Sequence, residues 1–412
     1  MTHPRVSHCR SCSSPDLVLA LDFGEQYVSD FVPPGRETAG LRLPTDMVLC
    51  RKCDLLQLAT TPPGDLLYRR HYWYRSGVTE TMRQALRDVV VAATEIASPN
   101  GGDVVLDIGA NDGTLLSHYP ANFRRVGVEP ADNLISQLRE RCSVVINGFW
   151  SHGDYLSLGL APAKIVTACG MLYDLADPNP FVRDVALSLA PDGLFVAQLM
   201  CLQNMFDLAD VGNFAHEHVE HYSLRSLHLL FSRNGLTIRG LSTNDVNGRS
   251  YRLYATRTGS KLPIPEELAT NLAAAEYRER MSRFGEAETY ADFYGRLVSN
   301  RQRCLDYLSQ EKAAGRSTWV YGASTKGNTI LQWYGIDRDL VAAAADKSPE
   351  KHGRVTVGTG IPIASEEEMR AARPDNLLIL PYAFLREFMT REAGLRSRGC
   401  KFVVPIPNFR VV

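Results

Sequence analysis

The sequence contains no run of about 18 consecutive apolar residues, the length that a helix needs to cross a membrane. Its N-terminus also lacks the basic segment and apolar run of a secretory signal. The 45 Lys and Arg are balanced by 46 Asp and Glu, so the basic excess typical of nucleic-acid-binding domains is absent. We therefore expect a cytoplasmic protein that spans no membrane and binds no nucleic acid.

Disulfide bonds are not indicated either, because the nine cysteines are an odd number and five of them stand alone. The other four form two C-x2-C pairs, Cys9 with Cys12 and Cys50 with Cys53. Four thiolates in two such pairs complete the tetrahedral site that Zn²⁺ prefers and leave no open position for water. We therefore expect a structural zinc ion. Four unrelated buried cysteines are the alternative, and the adjacent His8 is interpreted as a surface residue.

The length of 412 residues exceeds what one hydrophobic core usually organises, so we expect an α/β protein of several domains. Two regions alternate short β-rich runs with helical stretches, which is typical of parallel βαβ units. The runs are VVLDIG, RVGVEP, SVVING, KIVTACG and GLFVAQLM, then TWVYGAS, VAAAADK, NLLILPY and KFVVPIP. The predicted organisation is a zinc-binding β module (1–66), a linker and helix (67–97), a Rossmann-like domain (98–258), a helical connector (259–314) and a second Rossmann-like α/β domain (315–412).

The run VVLDIGANDGTLL places Asp107, Gly109 and Gly113 across a turn from a strand into a helix. Glycines let the backbone approach a ligand there, and the helix N-terminus offers free N–H groups. The spacing D-x-G-x-x-x-G differs from the dinucleotide fingerprint and is the form seen in class I methyltransferases. Glu129, at the end of the next strand, is placed to bind both ribose hydroxyls. We therefore predict S-adenosylmethionine, rather than NAD, as the cofactor.

Residues after the neighbouring strands complete the predicted donor site. Phe149 and Trp150 follow the third strand and are placed to flank the adenine, although core packing explains two aromatic residues equally well. The segment after the fourth strand is placed to face the methionine end of the donor. The further donor-binding candidates are Tyr74, Asn111, Pro130, Cys169, Gly170 and Met171.

Several segments together resemble the sugar C-methyltransferase family of deoxysugar biosynthesis. They are the two Cys pairs, YWYRSGVTETM, LDIGANDGTLL, MLYDLADPNPFV, HEHVEHYSLRSL, DVNGRSYRLYA, YGASTKGNTIL and GTGIPIASEEEMRAARPDNLLILPY, spread over nearly the whole chain. Members of this family methylate C-3 of dTDP-linked 4-keto hexoses, many of them in antibiotic biosynthesis. The resemblance implies a zinc-binding N-terminal domain, a central donor domain and a C-terminal Rossmann-like domain that helps to hold a dTDP-sugar.

The segment HEHVEHYSL is the predicted source of acid and base chemistry. The resemblance implies that His218, in a Glu217–His218 pair, removes the C-3 proton. From the residues alone, a histidine that titrates near neutral pH can remove a proton next to a ketone. A metal cluster or a hydrogen-bonded structural turn would explain the same density of His and Glu. The further catalytic candidates, including hydrogen-bond partners for an enolate oxygen, are His221, Tyr222, Tyr74 and Asn247.

The segment YGASTKGNTIL places Ser324, Thr325, Lys326 and Asn328 at a turn from a strand into a helix. Backbone N–H groups, hydroxyls and one ammonium suit a diphosphate there, and the mismatch to a Walker loop means that nucleotide hydrolysis is not implied. Asp346 follows the next strand and is placed for a ribose or base contact, with a surface acid as the alternative. The remaining acceptor-binding candidates are His216, Asn247 and Tyr382.

Two positions depart from the family pattern. Ala215 stands where better-studied members have a tyrosine, and Ala383 stands where the Pro-Trp-His-Phe segment of relatives has its histidine. Our first hypothesis is a C-methyltransferase with a small-molecule acceptor, acting as a monomer or small homo-oligomer. The second is an O- or N-methyltransferase of another sugar or natural-product intermediate. The third is a non-catalytic zinc-ribbon protein that only binds ligands.

Overall fold

A computed structural model describes residues 5–69, 72–245 and 249–412 of the chain. Asn247, one of the predicted acceptor-binding residues, lies outside the described residues. The structure confirms the α/β fold class, with a Cys-rich N-terminal module, a central Rossmann-like domain and a C-terminal α/β domain built on a parallel sheet. Among the described residues, no helix is long and apolar enough to span a membrane.

The N-terminal module is an antiparallel sheet. Its strands are β1 (Leu17–Tyr27), β3 (Arg42–Cys50) and β4 (Leu56–Leu58), and the short strand β2 (Phe31–Val32) lies outside this sheet. β3 pairs with β1 on one side and with β4 on the other, so the second Cys pair begins where β3 ends. The first Cys pair precedes β1, and the sheet therefore brings the two pairs to the same end of the module.

The linker ends in helix α1 (Glu80–Ala97), as the apolar spacing predicted. The Oγ1 of Thr79 accepts a hydrogen bond from the backbone N–H of Met82 and caps the helix start. One face of α1 is apolar and buried against the central sheet, where Val89 lies in the same cluster as Val105 and Val196. The helix therefore covers one face of the donor domain.

The central domain has a seven-stranded sheet. Its strands and helices are β5 (Val104–Ile108), α2 (Thr114–Ser117), β6 (Arg124–Val128), α3 (Ile135–Arg141), β7 (Val144–Ile146), α4 (His152–Ser157), β8 (Ala163–Cys169), α5 (Pro178–Ser188), β9 (Leu189–Met200), α6 (Leu202–Asp207), β10 (Glu220–His221), α7 (Leu224–Arg233), β11 (Leu236–Asn244) and β12 (Ser250–Arg257). The strand order is β11-β12-β9-β8-β5-β6-β7. β5 to β9 are parallel and are the five predicted runs, whereas the antiparallel pair β11 and β12 was not predicted.

Strand β10 belongs to the central domain in sequence but to the zinc module in space. It pairs antiparallel with β4, and the backbone N–H of Leu58 donates to the carbonyl oxygen of Val219 over 2.9 Å. The segment HEHVEHYSL is therefore the place where the two domains share one sheet.

Two helices connect the central domain to a six-stranded C-terminal sheet. The elements are α8 (Glu266–Ser282), α9 (Ala287–Ala313), β13 (Thr318–Tyr321), α10 (Thr325–Tyr334), β14 (Ala343–Asp346), β15 (Val355–Thr356), β16 (Ile363–Ser365), α11 (Glu366–Ala372), β17 (Asn376–Ile379), α12 (Leu385–Arg391), α13 (Ala393–Arg396), β18 (Lys401–Val404) and β19 (Arg410–Val411). The order is β16-β14-β13-β17-β18-β19, parallel except for β19. The four predicted runs are β13, β14, β17 and β18.

The zinc module and the C-terminal domain share a hydrophobic core. The ring of Phe23 in β1 lies 5.0 Å from that of Phe214 and 5.4 Å from that of Trp333 in α10, measured between ring centroids. In addition, β2 pairs with β15 of the C-terminal domain. The three domains therefore meet around one region, and the main cavity lies there.

Candidate active site

A cavity of about 630 Å³ lies between the three domains. The carboxyl ends of β5, β6, β8 and β9 open into it from the central sheet, and those of β13 and β17 open into it from the C-terminal sheet. Tyr68, which follows the zinc module, also lines the wall. Because ligands in open α/β sheets bind outside the carboxyl ends of the strands, this cavity is placed to hold two ligands side by side.

The donor end of the cavity is built around Glu129, which is buried at the end of β6. Its carboxylate oxygens accept hydrogen bonds from the backbone N–H groups of Asn111, at 2.7 Å, and Ala131, at 2.8 Å. Burial raises the pKa of Glu129, and these two hydrogen bonds oppose that rise. Each oxygen keeps a further lone pair, so the carboxylate can still accept from ribose hydroxyls.

The glycines of this end form a cradle that fits S-adenosylmethionine. Gly109 and Gly170 both have positive φ, +73° and +72°, and both line the cavity. A Cβ atom on Gly109 would lie 3.0 Å from the Cγ of Met171, so a side chain there would fill the space between the two turns. A cradle of bare backbone beside an acidic residue is what the donor's methionine and ribose parts require.

Most of the predicted donor residues line the cavity. They are Tyr74, Gly109, Asn111, Glu129, Pro130, Phe149, Trp150, Cys169, Gly170 and Met171. Tyr72 and Ser76, from the aromatic segment before α1, and Gln198, from β9, also line the cavity. These three residues were not predicted from the sequence. The spacing of the glycine motif gives no signal for these, although the density of aromatic residues in YWYRSG could have found Tyr72.

Asp107 and Gly113 do not line the cavity, which corrects their expected place as ligand contacts. The carboxylate of Asp107 accepts a hydrogen bond from Thr167 Oγ1 at 2.6 Å inside the sheet, and burial raises its pKa to about 7. Gly113 has φ +79° at the start of α2, where a Cβ would lie 3.0 Å from Leu138. Both residues shape the turn that presents Gly109.

His218 lines the other end of the cavity, and its imidazole is oriented by two neighbours. The Nδ1 atom lies 2.8 Å from the backbone carbonyl oxygen of Asn213, and the Tyr173 ring packs edge-on with centroids 4.7 Å apart. Because a carbonyl only accepts, Nδ1 carries the proton and Nε2 keeps its lone pair. Burial holds the pKa of His218 well below its usual range, and the positive charge of Lys326 lowers this pKa further. The ring is thus a neutral base.

Val219 also lines the cavity, but the other His, Glu and Tyr residues of HEHVEHYSL do not, which corrects their predicted roles. Tyr222 donates to the carboxylate of Glu220, and the backbone carbonyl of Glu217 accepts from Tyr68, while burial raises the pKa of the Glu217 carboxyl to about 7. His216 Nε2 lies 3.1 Å from the Leu43 carbonyl oxygen, and the His221 ring packs on Phe214. The pairing of β10 with β4 joins this segment to the zinc module.

Lys326 lines the cavity. Its Nζ is 2.9 Å from the Sδ of Met200, at the end of β9. Burial lowers the pKa of Lys326, and the carboxyls of Asp210 and Asp174 oppose that change. Asp174 has a buried Oδ1 without a partner among the described residues, and burial raises its pKa well above the usual range. Neither aspartate was predicted from the sequence.

Ser324, Thr325 and Tyr382 line the cavity beside Lys326, as predicted for acceptor contacts. Two other candidates do not. The Nδ2 of Asn328 donates toward Ser29 Oγ at 3.3 Å, in the zinc module. The carboxylate of Asp346 is already engaged by the backbone N–H groups of Ala323 and Ser348 and by the ammonium of Lys351. Asn328 therefore joins domains, and Asp346 holds the loop after β13.

The four paired cysteines come together and fit a zinc ion. Their Sγ atoms all lie within 4.8 Å of one another, with 3.6 Å between Cys9 and Cys53 and 3.5 Å between Cys12 and Cys50. A tetrahedron with Zn–S bonds of 2.3 Å has sulfur atoms about 3.8 Å apart. The hydrogen bond between the sulfur atoms of Cys9 and Cys53 lowers the pKa of Cys9. No other such cluster of His, Cys, Asp and Glu occurs within residues 5–69, 72–245 and 249–412, and His8 is exposed as expected.

Comparisons with known proteins match the three domains in order. Residues 9–68 match a putative zinc binding domain, residues 78–241 a methyltransferase domain, and residues 245–407 a C-methyltransferase C-terminal domain. The C-methyltransferase NovU of Streptomyces niveus is 29% identical over 412 residues, which is 99% of this chain and 97% of NovU. The relative and the three models cover the whole length of the fold.

Two solved structures of other proteins resemble part of the chain. Magnesium protoporphyrin IX methyltransferase of Synechocystis PCC 6803 with bound SAH is 13% identical, with 45% of this chain and 90% of that chain covered and a TM-score of 0.36. A putative methyltransferase complex of Haloferax volcanii is 14% identical, with 43% and 95% covered and a TM-score of 0.34. The family models, the relative NovU, the cysteine cluster and the donor cradle agree with one another. This chain is therefore an S-adenosylmethionine-dependent methyltransferase with a zinc-binding N-terminal domain, and over nearly its whole length it is similar to a C-methyltransferase.

Proposed function

We propose that this C-methyltransferase acts on C-3 of a dTDP-linked 4-keto-deoxysugar and that His218 removes the proton from that carbon. The observation that carries the proposal is the state of the imidazole. His218 presents an unprotonated Nε2 to the cavity that Glu129 lines at the donor end. A neutral base beside a methyl-donor site is what alkylation of a carbon next to a ketone requires.

In this reaction Nε2 of His218 takes the C-3 proton, and the electrons of the C–H bond move onto the neighbouring ketone as an enolate. When bound, S-adenosylmethionine supplies an electrophilic methyl group on a sulfonium sulfur. The enolate carbon forms the new C–C bond, and the methyl–sulfur bond breaks to leave S-adenosylhomocysteine. The apolar walls exclude water from the carbanion-like carbon; they include Ile330, Leu380 and Ile406.

The acceptor's oxygen atoms are proposed to lie against the start of α10. Lys326 supplies a positive charge beside His218, and Ser324 and Thr325 add hydroxyls on the same wall. An ammonium in this position suits either the diphosphate of a nucleotide-sugar or the enolate oxygen that forms next to the base. Ala383, where relatives carry a histidine, also lines this wall and leaves it less polar.

Incubation with methyl-labelled donor and dTDP-4-keto-deoxysugars tests the proposal. We expect a product whose new methyl protons appear as a singlet, because a methyl group on a quaternary carbon has no neighbouring proton. In deuterium oxide with S-adenosylhomocysteine, the C-3 proton should exchange without methyl transfer. A methyl group on oxygen or nitrogen, or the absence of exchange, would contradict the assignment of C-3 and of the base.

A further inference from the structure

A line of three hydrogen bonds runs from the C-terminal domain to His218. The hydroxyl of Tyr382, in the turn after β17, donates to Oδ2 of Asp210 over 2.9 Å. The same oxygen accepts from Nδ2 of Asn213 at 2.8 Å. The backbone carbonyl of Asn213 then accepts from Nδ1 of His218 at 2.8 Å. A side chain of one domain is therefore connected to the base carried by another.

The middle of this line is shielded from water. Asp210 is 5% exposed and Asn213 is 1% exposed, so neither side chain can exchange its partner for bulk solvent. The Oδ1 of Asn213 has no partner among the described residues, and Asp210 is therefore the group that orients this side chain. The charge of the Asp210 carboxylate faces the ammonium of Lys326 from the same wall of the cavity.

Backbone packing supports the same connection. The turn Val211–Asn213 lies against α10, and a Cβ on Gly212 would lie 3.1 Å from the Cδ1 of Ile330 and 3.2 Å from the carbonyl oxygen of Lys326. The bare backbone at Gly212 therefore lets the C-terminal domain approach the turn that ends in Asn213. The position of the carbonyl that holds His218 depends on a neighbouring domain as well as on its own loop.

We propose that Asp210 and Tyr382 are positioning residues that keep His218 in its Nδ1-protonated tautomer, so that the C-terminal domain sets the state of the base. The inference rests on the proposed role of His218 in proton removal. The tautomer matters because a proton on Nε2 would occupy the lone pair that faces the cavity. Holding the Asn213 carbonyl against Nδ1 keeps that lone pair free.

The tautomer can be observed without any acceptor. We would label the full-length chain with [¹⁵N]histidine and assign the imidazole of His218 by its loss in His218→Gln. The ¹⁵N shifts of the wild type should show a protonated Nδ1 and an unprotonated Nε2 at neutral pH. Asp210→Ala should shift the ring toward a mixture of tautomers, and Tyr382→Phe should do so to a smaller extent.

Two control variants test whether the tautomer depends on the hydrogen bonds to Asp210. One removes only the charge of Asp210, and the other removes a different buried hydroxyl. Both bonds end on one oxygen of Asp210, so the amide oxygen of Asp210→Asn can accept them both, and this variant should keep the wild-type tautomer. Tyr334→Phe removes a buried hydroxyl that has no partner in the described part of the chain, in the hydrophobic cluster against which Tyr382 packs, and should also leave the tautomer unchanged. A wild-type tautomer in Asp210→Ala, or a mixture in Asp210→Asn, would overturn the proposal.

The consequence for catalysis is measured as exchange of the C-3 proton of a dTDP-4-keto-deoxysugar in deuterium oxide. We expect Asp210→Ala to lower the exchange rate about tenfold, since a general base acts only from the correct protonation state. Binding of S-adenosylhomocysteine should change by less than twofold. If the wild type does not exchange the proton, the proposed function fails and the tautomer comparison still decides the positioning role. If Asp210→Ala exchanges the proton at the wild-type rate, the positioning role is overturned and the proposed function is not.

Discussion

The Nδ1 atom of His218 lies 2.8 Å from the backbone carbonyl oxygen of Asn213, and this contact decides what the imidazole can do. Because the carbonyl can only accept, the lone pair is on Nε2, which faces the cavity that also holds the donor cradle. Neither His216 nor His221 has this arrangement, since His216 contacts the Leu43 carbonyl oxygen through Nε2 and the His221 ring packs on Phe214. Four predictions follow from the site and from the domains that build it.

Replacement of His218 should stop proton removal without weakening the binding of S-adenosylmethionine. We expect His218→Gln to lower methyl transfer by at least about 100-fold, the usual contribution of a general base. The dissociation constant for S-adenosylmethionine, measured by calorimetry, should stay within twofold of the wild-type value. His228→Gln is the matched control, since His228 lies on the outer side of α7 and pairs with Glu276. A variant at position 218 that keeps a tenth of the wild-type rate would contradict the role of the base.

Replacement of Glu129 should act on the donor alone. Glu129→Gln removes the charge and one acceptor oxygen, and the backbone N–H of Asn111 or of Ala131 then loses its partner. Because a hydrogen bond to a charged group contributes about 1.5–3 kcal/mol, we expect affinity for S-adenosylmethionine to fall about 10- to 100-fold. Calorimetric titration checks this, with Glu140→Gln on the exposed side of α3 as the control. Unchanged affinity would show that Glu129 only holds the loop.

Loss of zinc should lower both stability and activity. The four cysteines hold the end of the sheet that β4 shares with β10, two residues after His218. We expect one zinc ion per chain by metal analysis and a fall in the thermal midpoint of about 5 °C or more for Cys50→Ser. Cys142→Ser changes a cysteine outside the cluster and should retain the metal. A zinc-free Cys50→Ser protein with the wild-type midpoint and rate would show that the sheet does not need the metal.

The stability of the protein should depend on pH through Glu279 in α8. Burial raises the pKa of this carboxyl to about 8 from its ordinary 4.5, although one oxygen accepts from the backbone N–H of Leu224. The folded state therefore keeps a proton that the unfolded chain has released, so the contribution is present below pH 4.5 and is lost as the pH rises toward 8.

Glu279→Gln removes this dependence because the amide does not ionise. We expect the free energy of unfolding of the variant, relative to the wild type, to increase between pH 5 and pH 8 by at most about 1.4 kcal/mol per pH unit. Urea unfolding at several pH values measures the difference. Glu267→Gln, at an exposed position of the same helix, is the control. A constant difference for Glu279→Gln would mean that the carboxyl is already ionised in the folded protein.

The elements that could be predicted from the sequence are those that depend on short, local residue patterns. The parallel strands β5 to β9 were predicted because each is a short apolar run, rich in β-branched residues, between helical stretches. The cysteine pairs and Glu129 were predicted from spacing alone, and the structure brings the cysteines together and places Glu129 on the cavity. Asp174 and Asp210 were missed because an isolated aspartate in a loop carries no sign that a distant helix will place Lys326 beside it.

The sequence by itself determined the order of the domains, the zinc-binding cysteines and the turn for the methyl donor, because each depends on residues that are neighbours in the chain or on repeated short spacings. Tertiary structure decided which histidine of HEHVEHYSL reaches the cavity. Pairing of β10 with β4 joins the segment to the zinc module, where Tyr222 packs in the same cluster as the zinc-binding cysteines, while the carbonyl of Asn213 holds His218 on the cavity wall. Strand pairing and contacts between domains fix these directions, and residue spacing does not encode them.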